Sequence, residues 1–484
     1  VKFPGFVGGS FQPQAGTADN SRTVNWYVEP SQGPGATTEA ALYPVPGVAQ
    51  ITEPSGGPTL GQPRAHFFQD GREFCILGAS LFEIAANGTL TLRGDVGDNQ
   101  LPATISTNGD IGGQLFITSN RNGFVYTLAT NTLAQIAALD GIAFQGDYLD
   151  GYFLCLDDDS STLFISNLAD GSVWDTGEDS AQRSLGSDPF IAMKVCGRFV
   201  WLFGELSSEV WYNTADTFPF APHPSGLLNF GIQAPYSSAV IGTDIIWFAT
   251  TRTGRLSIVR GNGFTPQVVS PYALDLALET YVRSDLAIAD VMSDSGHTFY
   301  ILGFDGGGIT WAYDATTQTW CERMYWNRTL GREESYRLRF YAHAFGQHRW
   351  LDRETGARFE MAREYVRDVD NTNSPKRIRR CPAPYNENKR IFYHSLEVDV
   401  EAGLGWEFPS YPGAPQMMLR ISNDGGKTWP VERWQGAGAY GEYKARANWH
   451  RLGAARRRVF EVSVTDPAPW KLTGAFLEAK AENG

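Results

Sequence analysis

The 484-residue chain carries 40 Lys and Arg against 53 Asp and Glu, a net charge of −13, with 52 Gly, 14 Trp and only 19% charged residues. Few charges beside abundant Gly and aromatics suit short strands joined by tight turns, and exclude coiled coil, long helical bundles and disorder. No apolar run approaches the roughly 20 residues of a membrane helix, so no stable membrane insertion is expected.

The charge is uneven. Residues 376–484 hold 17 Lys and Arg against 12 Asp and Glu, a balance of +5, whereas the preceding 375 residues hold 23 against 41, or −18. An acidic body does not coat nucleic acid, where affinity comes from cations replacing counterions. The basic last section suits an acidic neighbour or a phosphate backbone. Five cysteines (Cys75, Cys155, Cys196, Cys321, Cys381) are widely spread and form no C-x-x-C. They read as reduced core residues of a protein made in the cytoplasm, and Val1-Lys2-Phe3-Pro4-Gly5 opens no secretory signal.

In chain order, residues 1–55 read as an extended arm. Val24-Asn25-Trp26-Tyr27-Val28 alternates like a strand, and the prolines of Leu42-Tyr43-Pro44-Val45-Pro46-Gly47-Val48 deny a central-strand role. Such a segment is expected to lie on a neighbouring subunit. Residues 56–375 repeat a hairpin every 40–50 residues, the period of a propeller blade. The pairs are 73–78 with 80–84, 114–118 with 123–128, 152–156 with 162–166, 199–203 with 209–212, 245–248 with 255–259, 298–302 with 310–314, and 339–342 with 358–361. Radial closure would bury their faces and leave short edges. The expected fold is therefore all-β, a β-propeller of about seven blades, with six or eight also compatible and a β-sandwich as the alternative. Segments 179–196 and 275–292 look partly helical. Beyond the basic stretch Lys376-Arg377-Ile378-Arg379-Arg380, residues 376–484 alternate again and predict a C-terminal β-sandwich.

Ser422-Asn423-Asp424-Gly425-Gly426-Lys427-Thr428-Trp429 fits the Asp-box pattern S-x-D-x-G-x-T-W of sialidase-type propellers. Its mechanics are structural: Ser and Asp side chains tie a turn, Gly supplies positive φ, and Trp packs beneath. Asp157-Asp158-Asp159-Ser160 and Asp305-Gly306-Gly307-Gly308 lack calcium-loop spacing and read as hairpin turns. His343 and His348, five apart on a strand, would face opposite sides. No nucleophile–base arrangement, zinc motif or phosphate-cradling loop occurs. No catalytic residue, metal or cofactor is expected, and the chain reads as no enzyme. The candidate interface residues are Trp26, Tyr27 and Tyr43 of the arm, with Lys376, Arg377, Arg379, Arg380, Arg456, Arg457 and Arg458. The arginine runs equally suit a solvated linker and strand-edge protection.

Several segments in order resemble the packaged-DNA stabilisation proteins of short-tailed bacteriophages, also called tail accessory or tail hub proteins. Val24-Asn25-Trp26-Tyr27-Val28-Glu29 followed by Leu42-Tyr43-Pro44-Val45-Pro46-Gly47 is similar to the family's opening pattern. Phe164-Ile165-Ser166-Asn167-Leu168-Ala169-Asp170 with Trp174, and Trp201-Leu202-Phe203-Gly204 through Ser208-Glu209-Val210-Trp211-Tyr212-Asn213-Thr214, look like its central segments. Where the family usually has Gly next, Ala215 stands here, which suggests a different turn. The resemblance implies a virion tail hub made in the bacterial host cytoplasm. It would form a ring, expected hexameric, that joins adaptor and portal-vertex proteins to a distal needle, spikes or fibres. Such a ring retains packaged double-stranded DNA, which passes the lumen without sequence-specific binding. An acidic lumen would let DNA slide, with the basic section facing outward or toward the adaptor. The alternatives are a glycan-binding or glycan-hydrolysing propeller, and an adhesion propeller of cellular origin.

Overall fold

The computed structural model describes all residues except 14–18, 34, 35, 37, 52–60, 184, 382, 383, 385–388, 406–412 and 482–484. Seven antiparallel blades occupy residues 63–95, 104–136, 145–182, 190–228, 230–268, 288–327 and 338–362. Their middle strands are apolar on both faces, because successive side chains point to opposite sides and each side meets another blade. In Gln114–Ser119, Leu115 and Ile117 pack with Phe74 and Ile76 of blade 1, while Phe116 packs with Phe153 and Cys155 of blade 3. The same alternation repeats around the ring. Its last seam sets Leu351 of blade 7 against Cys75, Leu77 and Phe82 of blade 1, so the disc is closed.

Turn chemistry supports the repeat. In four blades the first two strands are joined by a two-residue turn with both residues at positive φ: Asp70-Gly71, Asp150-Gly151, Ser295-Gly296 and Phe345-Gly346. Such turns match the natural strand twist. Ala215 also sits at positive φ, 60°, with its N–H donating to Asn213 Oδ1 at 2.9 Å. The alanine therefore holds the left-handed backbone conformation that a glycine favours.

Blade 7 takes three strands from residues 338–362 and its fourth, Gly47–Gln50, from the start of the chain, with Val48 opposite Met361. Two sequence expectations change here. The partner of Arg339-Ala342 is Gln347–Asp352 and not 358–361, which forms the third strand. His343 and His348 therefore face each other across a hairpin, ring centroids 5.2 Å apart, on one face and not on opposite ones. Segment 179–196 contains the strands Ser180–Gln182 and Phe190–Cys196 and no helix among its described residues, whereas Tyr272–Leu278 is helical. All five cysteines are buried.

The sandwich stacks two sheets. One runs through Trp26–Pro30, Ala40–Pro44, Leu472–Ala481, Ile391–Val400 and Ala447–Ala455; the other holds Arg22–Val24, Arg377–Arg380, Val459–Val464, Gln416–Ser422 and Arg433–Gly436. The core between them includes Phe3, Phe6, Trp26, Val28 and Leu42 together with Val398, Trp449, Phe460 and Trp470. The expected surface arm is thus corrected: residues 1–50 supply strands and core to this chain's own sandwich and the last strand of its own propeller. The physical reason is that Phe3, Phe6 and Trp26 find their apolar partners at home. Ala40–Pro44 is an interior strand despite its proline, which falls at the strand's end, and its pairing to Leu472–Ala481 is limited to Leu42 opposite Leu472.

Candidate functional site at the junction of propeller and sandwich

The outer strand of blade 6, Thr319–Asn327, pairs in parallel with Arg22–Val24, which pairs antiparallel with Arg377–Arg380. Blade 6 and one sandwich sheet therefore form a single ten-stranded sheet. Asn25 makes the turn from that sheet into the other one. Its φ is 55°, a conformation Asn tolerates better than most residues. Its Nδ2 donates to the carbonyls of Met324 (3.0 Å) and Lys376 (2.9 Å), and its Oδ1 accepts from the Met324 N–H at 3.1 Å. One side chain thus ties propeller to sandwich at the point where the chain changes sheets.

Charged groups lock this seam. Arg22 donates through Nε to Glu322 (2.8 Å) and through Nη1 and Nη2 to Glu333 (3.1 and 2.7 Å). Glu322 also accepts from Ser10 Oγ at 2.9 Å and Gln12 Nε2 at 2.8 Å. Burial opposes the Arg22 charge, but Glu322 and Glu333 outweigh it and raise the pKa. Glu461, almost fully buried, receives Arg380 through Nε and Nη2 (2.9 and 2.7 Å) and Arg420 through Nε at 3.0 Å. Burial pushes that carboxyl up, and the two guanidiniums override it and hold it low.

The residues singled out in the sequence end up largely inside. Lys376 is buried with Nζ 3.6 Å above the Trp326 ring. Arg377 donates to the Val45 carbonyl at 3.1 Å, and burial brings its pKa down to about 10. Arg379 is 1% exposed and reaches six acceptors of the N-terminal segment: the carbonyls of Gly5, Phe6, Gly8, Gly9 and Arg22, and Thr23 Oγ1. Arg458 is buried, donating to Asn423 Oδ1 at 2.8 Å and to the Leu452 carbonyl at 2.7 Å. Trp26 is buried; Tyr27 is buried between Tyr43 and His297, and burial pushes its hydroxyl up to about 12. Tyr43 is half-buried, and only Arg456 and Arg457 of the set are exposed. As an interface with another molecule the set is corrected, because most of these groups are already consumed by the chain itself. What the sequence analysis missed are Arg22, Asn25, Glu322 and Glu461. The signal for Glu461 was present: a carboxylate inside the apolar run Val459-Phe460-Glu461-Val462 demands a buried cation.

The Asp-box turn forms as expected. Ser422 Oγ donates to Asp424 Oδ1 at 2.5 Å, and Asp424 Oδ1 accepts the N–H groups of Lys427 (2.9 Å) and Thr428 (3.0 Å). Gly425 and Gly426 take positive φ, and Trp429 Nε1 donates to the Gly426 carbonyl at 3.0 Å. Asn20 Nδ2 then caps the Gly425 carbonyl at 3.1 Å while its Oδ1 accepts from Arg380. The turn therefore helps to fasten the N-terminal segment. Asp157, Asp158 and Asp159 gather within ligand distance of one another, but Arg121 of blade 2 already bridges all three.

Two profiles of one phage family match consecutive parts of the chain: "Bacteriophage P22 Gp10, beta-propeller" over residues 20–361 and "Bacteriophage P22 Gp10, beta-sandwich" over residues 377–480. No curated protein matches at a significant level. Solved structures with similar folds include virginiamycin B lyase from Staphylococcus aureus, at 9% identity over 63% of this chain and 97% of that one, TM-score 0.38. The computationally designed Ika8 protein is 11% identical over 75% and 99%, TM-score 0.37. The extracellular domain of the putative one component system BT4673 from B. thetaiotaomicron is 10% identical over 87% and 58%, TM-score 0.41. With propeller and sandwich profiles matched in order over nearly the whole length, the chain belongs to the bacteriophage P22 Gp10 family and is a structural, DNA-stabilising component of the phage virion.

Proposed function

We propose that this chain is a tail hub: a non-catalytic joint between the portal–adaptor vertex and the distal needle, spikes or fibres, which retains packaged DNA. The observation that carries the reading is the continuous sheet from blade 6 into the sandwich, locked by Asn25, Arg22 and Glu322. A joint under load needs its two domains to move together, and a shared sheet with buried, charge-assisted hydrogen bonds resists hinge motion. A closed disc of seven blades adds stiffness, since every blade is braced on both sides. Assembly into a ring, expected hexameric, belongs to the same proposal, because closed rings are how such a joint surrounds a DNA path.

The charge proposal changes in detail. Five of the basic residues in the last section, Lys376, Arg377, Arg379, Arg380 and Arg458, are spent on internal contacts, so an outward basic face falls to the remainder, including Arg456 and Arg457. DNA is expected to slide past an acidic body without sequence-specific binding. Negative-stain microscopy of the chain mixed with portal–adaptor complexes tests the hub reading directly. A ring added below the adaptor is the expected result; a chain that stays free of the vertex at micromolar concentration overturns it. Sugar release from glycan substrates by the purified chain would overturn the non-catalytic part.

A further inference from the structure

A cavity of about 310 Å³ opens where the inner strands of blades 1, 6 and 7 begin, beside the connection from blade 1 to blade 2. Three arginines line it, Arg64, Arg339 and Arg353, against two carboxylates, Asp98 and Asp305. Arg64 is rigidly held: Nε donates to the Leu101 carbonyl at 2.6 Å, Nη1 to Gly78 and Gly97 at 3.1 and 2.6 Å, and Nη2 to Asn99 Oδ1 at 2.7 Å. Arg353 donates through Nη1 to Asp305 at 3.2 Å, while its Nε has no hydrogen-bond partner among the described residues.

Arg339 is the anomaly. It is 1% exposed, yet among the described residues neither its Nε nor its Nη2 makes a hydrogen bond. Among the described residues its one hydrogen bond runs from Nη1 to the neighbouring Leu338 carbonyl at 3.2 Å, and the nearest carboxylate oxygen, on Asp305, is 3.8 Å away. The backbone makes room for this guanidinium: a Cβ on Gly303 would lie 2.0 Å from Arg339 Cζ. A buried guanidinium keeps its charge, and buried donors left unmade are costly. Glu354 also lies 3.8 Å from Arg353 Nη2, so what the walls leave unmet among the described residues is hydrogen bonding, with idle N–H groups on two of the three arginines.

We propose that this cavity binds a single phosphate-type oxyanion. Guanidinium forks match the oxygen spacing of phosphate, and an anion supplies the missing acceptors through charge-assisted hydrogen bonds, which a neutral ligand would not. At roughly 30 Å³ per water, the space takes one such anion with several waters and excludes a folded segment. The group is either free phosphate or one phosphodiester unit of a larger molecule. The site does not depend on the hub reading, since it is carried by one subunit alone.

Isothermal titration of the full chain with inorganic phosphate, at constant ionic strength set with chloride, tests this. Saturable one-to-one binding is expected. R353Q, at a partly exposed side chain that should leave the fold intact, weakens it about tenfold through one lost charge-assisted contact. D305N removes the competing carboxylate and tightens it. A parallel titration with a short thymidylate oligonucleotide separates the sources: an R353Q-sensitive preference for the oligonucleotide assigns the site to chain-borne phosphate, and the reverse to free phosphate. Absence of binding of either at millimolar concentration, or binding that R353Q leaves unchanged, overturns the proposal.

Discussion

Replacing Arg379 by methionine should release the N-terminal segment from the body of the protein. The substitution keeps length and apolar bulk but removes the donors that hold the carbonyls of Gly5, Phe6 and Gly9. The Gly8 carbonyl keeps a second donor, Thr23 Oγ1 at 2.6 Å. Gly5 is exposed and Gly9 half-buried, so water can replace the lost donor there, whereas the Phe6 carbonyl lies in a fully buried residue. A buried acceptor left without a partner costs about 1–3 kcal/mol. Adding the two partly hydrated ones, and subtracting the relief of no longer burying an unpaired guanidinium, leaves a loss of about 3 kcal/mol. Arg379→Lys should recover less than half, since one ammonium cannot fan across these carbonyls. Urea unfolding followed by circular dichroism gives the stability, and hydrogen exchange of residues 1–12 gives the local release. An R379M protein within about 0.5 kcal/mol of the parent, below the cost of one lost hydrogen bond, with the N-terminal amides still protected, would refute the clamp. It would revive the idea that this segment belongs on another subunit.

Three further outcomes are expected. Glu461→Gln leaves Arg380 and Arg420 without their carboxylate; breaking a buried pair costs about 3–5 kcal/mol, reduced here to about 2 kcal/mol because Arg420 is 27% exposed and can hydrate. Since its folded pKa lies below the unfolded value, this carboxylate's contribution is present above about pH 4.5 and lost as pH falls through the folded pKa. An acid-unfolding midpoint unchanged by E461Q would contradict this. His297 works in the opposite sense: burial disfavours its charge, but Asp314 at 2.7 Å and Glu29 at 3.0 Å prevail and raise its pKa. Its stabilisation is full below about pH 6.5 and fades as pH rises through the folded value, by at most about 1.4 kcal/mol per pH unit. H297N should flatten thermal stability over that window, and an unaltered pH profile would count against the bridge. Ala215→Gly should stabilise by about 0.5–1 kcal/mol, because a left-handed alanine costs about 1–2 kcal/mol and glycine's extra freedom returns part of it. A lower melting temperature for A215G would contradict the turn assignment.

The blade repeat was legible in the sequence because each hairpin carries its own evidence. Strands such as Leu115-Phe116-Ile117 are apolar on both faces, and the Asp-Gly and Ser-Gly turns beside several of them are local chemistry. The Asp-box turn was legible for the same reason: every group in it lies within eight residues. Partner choice over long sequence distances was not. Nothing near Gly47–Gln50 announces that it completes a blade with Met361, and nothing near Arg22 names Glu322, 300 residues away. The basic run at 376–380 read equally as linker or interface, since a charge in a sequence does not reveal whether a carbonyl or water will face it. Local alternation and turn geometry determined that this chain repeats a blade hairpin and ends in a sandwich. Only the closed tertiary structure decided that its first fifty residues stitch the two into one body, because burial of Phe3, Phe6 and Trp26 and satisfaction of Arg379 arise only when both ends of the chain meet.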